Sequence, residues 1–167
     1  MKQVIAVKSY LFRKPQQCLG TMLFSIYLVL LIGETMWASL AALQQISLYK
    51  QLSGFAILFY VVAQWRLGYL RHSGQKAAAA KHINTHKWLG VLAPVLLVMH
   101  TMESGHAYQT LLLVIFIALA VSGLLSFHDI KFKKRWFVAS WTILHVMLAV
   151  ALPMLVLYHV YITYHYS

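Results

Sequence analysis

Five stretches of this sequence, residues 20–43, 53–71, 84–104, 109–127 and 137–163, are each long and apolar enough to cross a membrane. A bilayer core about 30 Å thick needs roughly 20 mostly apolar helical residues to span it. Hydrocarbon offers no water to pair with N–H and C=O groups, so each segment must bond its own backbone and is predicted as a helix. The first contains TMLFSIYLVLLIG and the fourth LLLVIFIALAVSGLL, whereas the second, GFAILFYVVAQWRLGYL, is more mixed and ends in arginines. Composition agrees: the chain is 61% hydrophobic and 10% charged, against about 25% charged in soluble domains. The predicted fold is therefore all-α, an integral membrane bundle of five transmembrane helices formed by residues 20–167. Residues 72–83, HSGQKAAAAKHI, are polar and alanine-rich, and are expected to prolong a helix into water.

Residues 1–19 are basic and weakly amphipathic, and are predicted to lie along the cytoplasmic membrane surface. A signal peptide competes for the same region, with 22–33 as its apolar part and ASLAA at 38–42 as a cleavage site. Glu34 and Trp37 interrupt that pattern.

Orientation follows from the basic residues. Lys2, Lys8, Arg13 and Lys14 precede the first span. Arg66, Arg71, Lys76, Lys81 and Lys87 flank the second connection, and Lys131, Lys133, Lys134 and Arg135 the fourth. With five spans these thirteen of fourteen cations share one side, and only Lys50 falls on the other. The positive-inside rule then makes the N-terminus cytoplasmic and the C-terminus external. The net charge of +11 is thus a topology signal, and no nucleic-acid partner is expected. A bacterial inner membrane is the expected location. The single cysteine, Cys18, excludes a disulfide framework, a zinc cluster, an iron–sulfur site and CxxCH haem attachment.

Nine histidines are the anomaly, because ionisable groups inside a membrane are costly and mark functional sites. Four of them form a repeat. HKWLGVLAPVLLVMH runs from His86 to His100, and HVMLAVALPMLVLYH from His145 to His159; the two segments share six of fifteen positions, including Pro94 and Pro153. Fourteen residues turn a helix through about 1400°, close to four whole turns, and raise it about 21 Å. Each pair therefore faces one way, yet stands too far apart to share a metal ion. Both spans run in the same direction, which puts His86 level with His145 and His100 level with His159. Two histidines from facing helices are the axial ligands of a low-spin b-type haem, so two layers imply two haems. Gly90, one turn after His86, and Ala93 leave room for a flat macrocycle; Ala149 matches Gly90 in the fifth span, while Leu152 replaces Ala93. Arg66, with Arg71 and Lys87, is a candidate partner for anionic haem propionates. The competing account of these histidines is interhelical hydrogen bonding, in a membrane anchor or in a transporter relaying protons or metal ions.

With its two histidine-bounded segments in the third and fifth spans, the chain resembles the ferric reductase-like transmembrane family, which includes the membrane domains of NADPH oxidases and metalloreductases. The resemblance implies two stacked b haems held by His86, His145, His100 and His159, carrying electrons from the cytoplasmic to the outer face. It departs from the family in having five spans rather than six, and no flavin or NAD(P)H domain is read after them. Donor and acceptor are accordingly expected elsewhere: a membrane quinol or a cytoplasmic flavin reductase on one side, a c-type cytochrome or redox enzyme subunit on the other. Quinone is a second cofactor under that expectation, by analogy with the four-histidine cytochrome b of quinol:cytochrome c reductases.

Other polar residues are read as structural. Glu34 is expected to stay protonated and bond a neighbouring helix, with proton acceptance from a quinol as the alternative, Glu103 and His106 to face solvent or an acceptor, and His72, His82, His128 and His165 to lie in connections or at the chain end. Trp88, Trp136 and Trp141 fit an interfacial belt.

Overall fold

The computed structural model describes residues 15–33, 37–101, 107–125 and 135–165. These form α1 (Pro15–Ile32), α2 (Ala38–Gln45), α3 (Ser47–His72), α4 (Lys76–His100), α5 (Tyr108–Leu124) and α6 (Arg135–His165), with no strand among the described residues. The all-helical class is as the sequence implies.

The membrane-crossing content is coarser than five spans. Among the described residues two helices are long and apolar enough to cross a membrane, Pro15–Ile32 and Trp136–His165, and α2 with α3 makes a third if the bent pair counts as one span. The α5 helix is apolar but has 17 residues. In α4 the apolar run is short, because His86, Lys87 and His100 bound it.

The first predicted span, 20–43, is not one helix. The described part of α1 runs from Pro15, earlier than predicted, to Ile32. A separate short helix, α2, then meets α3 at a bend of 94°. Of the predicted surface segment 1–19, residues 15–19 belong to α1 and the rest lies outside the described residues. Glu34, Glu103, His106, His128 and the basic run 131–134 also lie outside them.

The turn between α3 and α4 has a local cause. Gly74 adopts φ +73°, a left-handed conformation that glycine takes without a Cβ penalty. The Gln75 N–H donates to the Leu70 carbonyl at 3.0 Å and the Gly74 N–H to Arg71 at 3.2 Å, the Schellman pattern that ends helices. The alanine-rich 77–80 then carries helix straight into the third predicted span.

Helices α3 to α6 form an antiparallel four-helix square: α3 packs on α4, α4 on α5, α5 on α6, and α6 on α3. The diagonal partners do not pack on each other, since no described Cα atom of α4 comes within 8 Å of α6. Outside the square, α1 lies against α4 and α5, where Phe24 and Tyr27 are buried with Leu97. Gln17 donates to the Leu124 carbonyl at 3.2 Å and Gln44 of α2 to the Val98 carbonyl at 2.7 Å, so helix ends that lack their own partners are capped by neighbours.

Pro94 and Pro153 lie inside α4 and α6. A helix-interior proline leaves the carbonyl four residues earlier without its N–H, and in hydrocarbon that acceptor needs another donor. For Pro153 the acceptor is Ala149, and the Trp65 indole N–H donates to it at 3.0 Å. Near Pro94 the Tyr60 hydroxyl donates to the Leu89 carbonyl at 3.0 Å. Both donors come from α3.

Candidate functional site

The diagonal gap between α4 and α6 is bridged at two levels by histidines. His86 faces His145 with ring centres 6.4 Å apart and planes at 77°. His100 faces His159, also at 6.4 Å, with planes at 90°. All four rings are half-buried. Between the layers an apolar plug fills the bundle, built from Val61, Leu152 and Val156 with Ile57 and Phe116 packed on it. Ala93 and Leu152, equivalent in the repeat, are both buried, small on one diagonal helix and large on the other.

The 6.4 Å separation leaves room for one ion between the rings of each layer, since a metal–imidazole bond is about 2.0 Å and the ring centre lies about 1.2 Å behind the nitrogen. Among the described residues no three of His, Cys, Asp and Glu converge; each layer brings two imidazoles together.

The neighbours of each ring are specific. His100 Nδ1 lies 2.9 Å from Ser53 Oγ, and a Cβ added to Gly54 would stand 3.2 Å from its Cε1. His145 Nδ1 lies 2.8 Å from Ser122 Oγ, and a Cβ on Gly123 would stand 3.7 Å from its Cε1. Trp141 stacks on His145 at 5.2 Å and 12° and donates its N–H to the Ser122 carbonyl at 2.9 Å. His159 Nδ1 has only a long contact, 3.5 Å, to the Tyr108 hydroxyl. His86 Nδ1 and Gln64 Oε1 are buried without a hydrogen-bond partner among the described residues.

Two cations of α3 act on the layers, the charge of Arg71 reaching both His86 and His145 and that of Lys50 reaching His100. At 100° per residue Lys50, Ser53, Gln64 and Arg71 fall within about 60° of one another, while Arg66 lies about 160° from Lys50. Arg66 is exposed, and its charge is not among those acting on the histidines. Gly90 is open: an added Cβ would meet only Gln64 Nε2, at 3.8 Å.

Of the residues singled out from sequence, the four histidines are brought together in the two expected pairs. Trp141 does more than line an interface, because its ring covers His145. Ser53, Gly54, Ser122, Gly123 and Gln64 were not singled out. A signal existed, since LSGF and VSGL each carry a Ser-Gly pair inside an apolar stretch.

No family model, no curated protein and no solved structure matches this chain.

Proposed function

We propose that the protein carries electrons across a membrane through two b-type haems, one in each histidine layer, as the cytochrome b subunit of a multi-component oxidoreductase. The observation that carries this proposal is the 6.4 Å spacing of facing imidazoles at two levels, on diagonal helices whose backbones stay apart. A lone membrane histidine that merely bonds a neighbouring helix has no reason to repeat that spacing. His86 with His145, and His100 with His159, would hold the haems, which when bound supply one-electron redox chemistry at iron.

The chain's own residues supply the rest. The apolar plug around Val61, Leu152 and Phe116 keeps water out between the layers. Arg71 and Lys50 put a cation at each layer, suited to an anionic propionate; the sequence holds only three acids, Glu34, Glu103 and Asp129, none among the described residues. Five spans, α1, α2 with α3, α4, α5 and α6, leave the N-terminus cytoplasmic under the positive-inside rule. This is the plan of the ferric reductase-like family with one span fewer. Electrons enter at the His86–His145 layer from a quinol or a cytoplasmic flavin reductase, and leave at the outer layer to a c-type cytochrome or redox subunit, in a bacterial inner membrane.

The test is a reduced-minus-oxidised spectrum of the purified protein with a haem-to-protein ratio. Two bis-histidine haems per chain are expected, and His100→Ala should leave one. A colourless protein would return these histidines to proton relay or metal passage.

A further inference from the structure

We propose that Ser53 and Ser122 are positioning residues that lock His100 and His145 in the tautomer whose Nε2 is free to bind iron, one lock in each layer. This rests on the dihaem function proposed above.

A serine hydroxyl has one proton to give. Ser53 Oγ lies 2.8 Å from the Tyr49 carbonyl and 3.2 Å from that of Lys50, and Ser122 Oγ lies 2.7 Å from the Leu119 carbonyl. Carbonyl oxygens only accept, and a serine in a helix donates to the carbonyl three or four residues back. That donation uses the proton. Towards the histidine each oxygen can then only accept, so Nδ1 of His100, at 2.9 Å, and of His145, at 2.8 Å, must be the donor. A neutral imidazole with its proton on Nδ1 carries its lone pair on Nε2.

A glycine follows each serine. Gly54 lets Cε1 of His100 lie against α3, where a side chain would crowd it at 3.2 Å, whereas a Cβ on Gly123 would meet Cε1 of His145 at 3.7 Å, an ordinary contact. Ser53-Gly54 sits at the start of α3 and Ser122-Gly123 at the end of α5. The antiparallel square therefore delivers one lock to the His100–His159 layer and the other to the His86–His145 layer. Within each layer the second imidazole is held less firmly, His159 by a 3.5 Å contact and His86 by none at Nδ1. A ligand whose distal N–H is accepted by oxygen is more basic. A more basic ligand favours ferric iron, so each serine lowers the midpoint potential of its own centre alone.

Threonine and valine share a shape and differ in the hydroxyl, so they make the test. The full-length protein is loaded with haem b, titrated spectroelectrochemically, and challenged with excess apomyoglobin as a haem acceptor. Ser53→Val should raise the midpoint of the centre that His100→Ala abolishes and weaken retention of that haem about tenfold, the scale of losing a partner of a metal-bound histidine. Ser53→Thr should match the unmodified protein. Ser122→Val and Ser122→Thr should behave likewise at the other centre. Ser→Ala at each site is the second probe if the branched side chain is not tolerated. Two haems with potentials and retention unchanged in the Val and Ala variants would overturn the lock while leaving the dihaem function standing. An unmodified protein that takes up no haem would overturn both.

Discussion

How close an imidazole can come to the helix beside it is decided by single glycines. A Cβ on Gly54 would press on His100 at 3.2 Å, whereas one on Gly68, about four turns further along the same helix, would meet nothing within 4 Å. Alanine is favoured over glycine in a helix interior by about 1 kcal/mol, so Gly68→Ala should raise the thermal midpoint of the purified protein. Gly54→Ala carries the same backbone gain but must push the ring aside. It should give little or no increase, and haem retention should fall at the His100–His159 centre only. The histidines themselves were legible because His86 and His100 sit on one helix and His145 and His159 on another, where a fourteen-residue interval means a shared face. Ser53 and Ser122 were not, because each lies on a different helix from the histidine it touches and no periodicity links them. Arg66 is the preferred propionate partner by sequence, but on α3 it is Arg71 that falls on the face shared with Gln64.

At the scale of the element, α3 repairs what the prolines break. Trp65 donates to Ala149, the carbonyl that Pro153 deprives of its partner. Trp65→Phe should therefore cost about 0.5–1.5 kcal/mol, the usual net worth of such a bond, measured by denaturant unfolding in detergent. In a Pro153→Ala background the helix supplies its own N–H at residue 153, and the same Trp65→Phe change should cost almost nothing. Equal costs in both backgrounds would remove the link between tryptophan and proline. Elements were legible where apolar runs are long and unbroken, as in α5 and α6. They were not legible at 20–43, because hydropathy registers composition and not direction. Residues 38–45 belong to a helix turned across α3, where Gln44 is buried and reaches the Val98 carbonyl.

For the whole molecule, the square explains why two facing helices can hold something between them. Neighbouring helices pack about 8–10 Å apart, which makes the diagonal about 11–14 Å; apolar side chains fill it between the layers, and facing histidines span it at the two layers. The other diagonal pair, α3 and α5, is thereby freed to orient rings and place charge. Lys50 and Arg71 stand near opposite ends of α3 and reach different layers, so the molecule's electrostatics should be separable. A cation beside a redox centre favours the form with the added electron. Arg71→Gln should therefore lower the midpoint of the His86–His145 centre and leave the other unmoved, and Lys50→Gln should do the reverse. Both residues are exposed, so both shifts should shrink as salt rises. Arg66→Gln, on the far face of the same helix, is the control: a shift as large as that of Arg71→Gln would mean that net charge, not the placement of α3, sets the potentials.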